Sequence, residues 1–124
     1  MASSRKQQVI DLLKSLETKD PAPLAYVNPN KYIQHNPWVA DTIPGLIAGL
    51  QALAAKGQAV VYKRVHKILG EGNFVLVVAE ATFGGVPTGI YDLFRIEKGR
   101  IAEHWDTLEA IPPRDQWKNS NGKF

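Results

Sequence analysis

At 124 residues with 44% hydrophobic content, the chain can bury one core and is too short for two ordinary domains. Its 15 Lys and Arg against 12 Asp and Glu leave a formal charge of +3. The basic residues gather no further than the pairs Arg5-Lys6 and Lys63-Arg64, which gives no stripe to follow a phosphate backbone and argues against nucleic acid as a partner. The lack of cysteine excludes disulfides, thiolate metal sites and a cysteine nucleophile.

The start, Met1 to Gln8, is polar where a signal peptide would need an apolar stretch, and no run is long enough to span a bilayer. A soluble, cytoplasmic protein without a membrane partner is expected. Ser4 and Gln7 have the spacing of a capping box, and Val9, Leu12, Leu13 and Leu16 recur at helical intervals, which predicts an amphipathic helix over 4–18. Pro21, Pro23 and Pro29 limit the next segment to a short helical turn at 24–27. The stretch Tyr32-Ile33-Gln34-His35-Asn36-Pro37-Trp38 is polar and aromatic and ends in a proline turn. A second helix runs from Ile43, with Leu46, Ile47, Leu50 and Leu53 on one face, Pro44 near its start and Gly57 placed to end it.

The second half changes period. β-Branched and aromatic residues alternate with polar ones, predicting strands at 59–69, 74–83, 87–96 and 100–108, joined by turns at 70–73, Gly84-Gly85 and Lys98-Gly99. Consecutive strands with short turns form an antiparallel meander, and helices preceding strands give an α+β domain with the helices on one face. Residues 112–124, with a polar end, read as a loosely held tail behind a core of about 4–111.

The Tyr-Ile-Gln-His-Asn-Pro loop between two helices, followed by strands ending in the hairpin from Tyr91 to Asp106, resembles the SnoaL-like branch of the NTF2-like superfamily over nearly all of residues 4–111. The resemblance implies a curved sheet wrapped around a helix, an internal conical pocket, and a homodimer. It does not imply one reaction, since the superfamily includes polyketide cyclases, ketosteroid isomerases, dehydratases, epoxide hydrolases and binding modules. In SnoaL-like cyclases an aspartate on the last long strand is the acid–base catalyst of an aldol-type ring closure; the matching residue is Asp106. Asp92 matches a polar pocket residue of the preceding strand, which in ketosteroid isomerases is a protonated aspartate that holds an oxyanion. His35 and Asn36 match the loop bordering the pocket. Cyclases place a histidine near the position of Asp92, and this chain departs from that pattern.

Chemistry gives a separate reason to weigh these residues. Removing a proton next to a carbonyl needs a base of tuned pKa and a donor facing the nascent enolate. Two carboxylates in an apolar pocket can divide into acid and base, because burial and mutual repulsion push their pKa values apart. The expected catalytic set is Asp106, Asp92 and His35. Tyr32, Asn36, Trp38, His66, His104 and Trp105 are candidates for binding a small hydrophobic ligand. Trp38 and Trp105 read equally as core, and His66 as a surface histidine.

Hairpin parity decides whether the two aspartates meet. With a plain two-residue turn at Lys98-Gly99, Asp92 lies opposite Trp105, and Asp106 points to the other face with Tyr91 and His104. Placing both in one pocket requires a β-bulge.

His104-Trp105-Asp106 also has the His-x-Asp form used in iron sites with two histidines and one carboxylate, for which only His35 or His66 remains as second histidine. No metal or other cofactor is expected. Serines at 3, 4, 15 and 120 form no nucleophile elbow, and the glycines form no nucleotide fingerprint. The leading expectation is a cofactor-free isomerase- or lyase-like enzyme; the alternative is a non-catalytic small-molecule-binding or dimerisation module.

Overall fold

The computed structural model describes residues 4–18 and 20–124; the polar start read at Met1 to Ser3 lies outside them. Helix α1, Arg5–Thr18, begins where Ser4 Oγ accepts the Gln7 N–H at 3.1 Å. The return half of the expected capping box is replaced by a bond from the Gln7 amide to Asp11 Oδ1 at 2.8 Å. Val9, Leu12 and Leu13 on one face of α1 are buried in the core, as their spacing requires. A 3-10 turn at Ala22–Tyr26 follows, held to a single turn by Pro21 and Pro29.

Helix α2, Thr42–Ala55, carries Leu46, Leu50 and Leu53 toward the interior, whereas Ile47, expected on the same face, is 40% exposed. Gly57, at φ 73°, follows the helix in the left-handed conformation that glycine accepts without strain.

The sheet has five strands: β1 at Ile33–Gln34, β2 at Val60–Glu71, β3 at Phe74–Phe83, β4 at Val86–Glu97 and β5 at Arg100–Ala110. Their order is β1-β5-β4-β3-β2, and the sheet is curved without closing. The four long strands form the expected antiparallel meander. Unexpectedly, β1 runs parallel to β5, so the sheet is mixed. Its two residues are too few to show a period, and His35 N–H to His104 O at 3.0 Å continues the pairing past the strand.

Alternate residues Val75, Val77 and Ala79 of β3 and Phe94 and Ile96 of β4 face α1 and form the core with Ile101. Both faces of the sheet are therefore specified by the pleat, and any extra residue in a strand exchanges them. Three such residues occur. In β2 the register slips between Tyr62 and Arg64 and again between Val65 and Lys67. In β5 it slips once, so that Arg95 pairs with Glu103 while Ile96 pairs with Ile101. The extra residue is Ala102, which is fully buried.

Residues after β5 are not the loose tail read from the sequence. Trp117 Nε1 donates to Pro112 O at 2.8 Å, and Arg114 lies over the Trp117 ring. Lys123 pairs with Glu109, and Phe124 stacks on His66 at 4.2 Å between ring centroids. Gly89 makes room for this segment: a Cβ there would meet the Lys123 side chain at 3.4 Å. The end of the chain is thus laid against the outer side of β4 and β5.

Candidate active site

The turn at Lys98-Gly99 has two residues, both at positive φ (52° and 78°), as a type I′ hairpin requires. Glu97 therefore pairs with Arg100, and with no further irregularity Asp92 would meet Trp105. The Ala102 bulge moves the register by one, and Asp92 stands directly opposite Asp106. Cross-strand partners share a face, so both carboxylates point inward. The same shift turns His104 inward and sends Glu103 and Trp105 out, to the face where the β4 pleat already sets Tyr91.

These groups sit at the polar end of a small cavity that opens to solvent. Leucines of α1 and α2 with Val60, Phe83, Ile90 and Leu108 form its apolar wall. Tyr32, Gln34, Asn36, Tyr62, Asp92, His104 and Asp106 form the polar end. Asp92 is only 1% exposed, and both its oxygens are engaged: Oδ1 with His104 Nε2 at 2.8 Å, and Oδ2 with the Tyr62 hydroxyl, which donates at 2.6 Å. His104 Nδ1 lies 2.8 Å from Gln34 Oε1, and its ring leans on Phe94.

Asp106 differs from Asp92. It is only partly buried, and the Asn36 amide donates to its two oxygens at 3.2 and 3.3 Å. Burial pushes its carboxyl above the usual carboxylate range and Asp92 adds to that, while His104 and Asn36 hold it back. The two phenols are displaced the same way: burial first, then the Asp92 carboxylate, keeps Tyr32 and Tyr62 protonated well beyond the ordinary phenol range. Gln34 acts on Tyr32 in the opposite sense and offsets part of that rise.

Four of the expected residues do not reach the cavity. His35, expected in the catalytic set, lies on the outer face: its ring stacks on Trp105 at 4.6 Å and its Nε2 meets Glu103 at 2.7 Å. Trp105 follows it there by parity. His35, and after it Arg95, hold the Glu103 carboxyl below its ordinary value. Lys31 bridges Glu97 at 3.0 Å, and Arg95 joins Glu97 to Glu103, so the network ties the 31–35 segment to both β4 and β5. Trp38 is 80% exposed in the turn before α2. His66 lies at the second β2 bulge, which removes it from the face of Tyr62; it pairs with Glu80 at 2.9 Å beneath Phe124.

Two cavity residues were not singled out from the sequence. Gln34 stood inside the Tyr32 to Pro37 motif, and its amide was the signal available. Tyr62 gave none, because its neighbours' parity is broken twice.

Asp92, His104 and Asp106 offer donor atoms within 4.8 Å of one another, close enough for one cation. Asp92 Oδ1 and His104 Nε2 spend themselves on each other, so a cation would have to take the place of the proton in that buried contact, while Tyr62 keeps the other Asp92 oxygen.

No family model and no curated protein matches the chain. Solved structures do. An NTF2-like protein of unknown function from Cytophaga hutchinsonii is 19% identical at a TM-score of 0.68, over 88% of this chain and 93% of its own. Proteins proposed as polyketide cyclases follow. That from Acidithiobacillus ferrooxidans has 16% identity and a TM-score of 0.67, over 88% of this chain and 92% of its own. That from Sinorhizobium meliloti has 19% identity and a TM-score of 0.67, over 82% and 94%. The fold is that of the NTF2-like proteins, and the likeness extends to members described as polyketide cyclases.

Proposed function

We propose that the chain is a cofactor-free acid–base enzyme acting on a small hydrophobic carbonyl compound, with Asp106 as the base. The observation that carries this reading is the contrast between two facing carboxylates: Asp92 has both oxygens occupied, whereas Asp106, raised by burial, opens on an apolar cavity. Asp106 takes a proton from the carbon beside the carbonyl, and the C–H electron pair moves onto the carbonyl oxygen. The Tyr32 hydroxyl supplies a hydrogen bond to that oxygen. Asp92 supports His104 instead of acting as a second free acid. The enolate then either regains the proton at another carbon, an isomerisation, or adds to a second carbonyl, an aldol closure. The solved relatives described as cyclases favour the second course.

Exchange of α-protons for deuterium in a panel of cyclic ketones and β-keto esters, followed by NMR, tests the chemistry before the substrate is known. The intact protein is expected to speed exchange, and Asp106→Asn to lose about 10²- to 10⁴-fold of that acceleration while keeping its fold. Equal acceleration by the variant removes Asp106 as the base. Tight binding without any exchange favours the binding-module alternative.

A homodimer is part of the proposal. On the outer face, Leu69, Leu76, Leu93 and Trp105 stand opposite one another across four strands and form an apolar row, with Leu69 59% exposed.

A further inference from the structure

The hydrogen bonds around His104 carry information about where its protons are. Gln34 Oε1 accepts the Asn36 backbone N–H at 3.1 Å, a bond that only the amide oxygen can make. The same oxygen lies 2.8 Å from His104 Nδ1, so Nδ1 must bear a hydrogen. The Gln34 backbone is held in place beside it. Its N–H donates to Asp41 Oδ1 at 2.8 Å, and the pairing of β1 with β5 sets it opposite His104.

With Nδ1 protonated, a neutral His104 would present a bare lone pair at Nε2. Asp92 Oδ1 faces it at 2.8 Å, and a carboxylate there would oppose lone pair to lone pair. The contact is stable only with a proton in it, on either the nitrogen or the oxygen. Tyr62 donates to the other Asp92 oxygen and cannot supply this one.

We propose that Gln34 is a positioning residue that fixes the Nδ1–H form of His104 and so obliges the His104–Asp92 contact to hold a second proton, keeping the pair neutral beside Asp106. The titratable groups facing the pair are Asp106 from β5, Tyr62 from β2 and Tyr32 from the segment before β1; α1 and α2 present leucines to the cavity. Without the Gln34 oxygen, His104 can instead carry its single hydrogen on Nε2 and donate it to an ionised Asp92. The pair then bears one negative charge, and Asp106 beside it holds its own proton to higher pH. Gln34 would thus lower the pH at which Asp106 ionises without touching the substrate. This last consequence rests on Asp106 being the base; the proton placement does not.

Long-range ¹H–¹⁵N correlation spectra of histidine-labelled protein read the tautomer directly. The intact chain is expected to show His104 with hydrogen on Nδ1. Gln34→Glu, which keeps an acceptor oxygen, is expected to preserve that signature. Gln34→Met is expected to move the hydrogen to Nε2 and to shift the Asp106 titration, followed by its carboxyl ¹³C signal, to higher pH. A bare Nδ1 in the intact protein, or a Met variant with an unchanged His104 spectrum, overturns the proposal. If Gln34→Met does not fold, the spectra of the intact chain and of the Glu variant still decide it. Confirmed tautomers together with α-proton exchange that is indifferent to Asp106→Asn would leave this proposal standing and remove the enzyme reading instead.

Discussion

Asp106 combines a raised proton affinity with access to an apolar cavity, and its pH behaviour follows in sign. Only the ionised form accepts a proton, so α-proton exchange is expected to fall as pH drops through a midpoint above the ordinary carboxylate range. Stability runs the other way. A carboxyl whose folded pKa is raised binds its proton more tightly in the fold, so its ionised form costs stability at neutral pH, and the cost disappears below the unfolded value. Asp106→Asn is therefore expected to melt at a higher temperature than the intact chain near pH 7, with the gap closing in acid; a lower melting temperature at pH 7 contradicts the origin assigned to the shift. Tyr62→Phe should do the reverse. It strips a donor from Asp92 at the buried end of the cavity, and about 1–3 kcal/mol of stability should be lost in a denaturant titration. At this scale the sequence was legible where residue type alone sufficed. Asp92, Asp106, Asn36 and Tyr32 carry polar groups in segments that had to meet the core. His35 was misread because its neighbours in space, Trp105 and Glu103, offered it a stack and an ion pair on the opposite face.

Among the elements, the hairpin of β4 and β5 determines what the cavity contains. Its pattern read alone sets Asp92 and Asp106 apart; only the bulge reconciles them, and the sequence shows that a bulge is needed without showing where. Ala102 has no polar group and no unusual propensity to mark it. Deleting Ala102 is expected to abolish the acid–base chemistry, either by turning His104 and Asp106 outward or by preventing the fold, whereas Ala102→Gly, which keeps the residue count, should retain most of it. Circular dichroism and the exchange assay separate these outcomes, and an active deletion variant contradicts the parity argument. The helices and long strands were legible because their periods persist over ten or more residues. β1 was hidden by its length, and of the two readings open for His66 the surface one holds, because two slips in β2 carry it off the face of Tyr62.

Across the whole molecule, the sheet separates two environments. The inner face holds the core and the cavity; the outer face holds ion pairs, the folded-back end of the chain, and the apolar row from Leu69 to Trp105. Among the described residues no helix is long and apolar enough to cross a membrane. Light scattering on the intact chain is expected to give twice the chain mass, and Leu69→Glu, a change at an exposed site, to give the single mass with an unchanged circular dichroism spectrum. A monomeric intact chain would remove the homodimer.

The extra residue in β5 also bears on how such a sequence can change over time. Gaining or losing one amino acid between the hairpin turn and His104 would exchange interior for exterior along the rest of the strand, with every functional side chain retained. A lineage could therefore silence or restore the chemistry proposed for this cavity through a three-nucleotide length change, and the position responsible would be occupied by nothing more conspicuous than alanine.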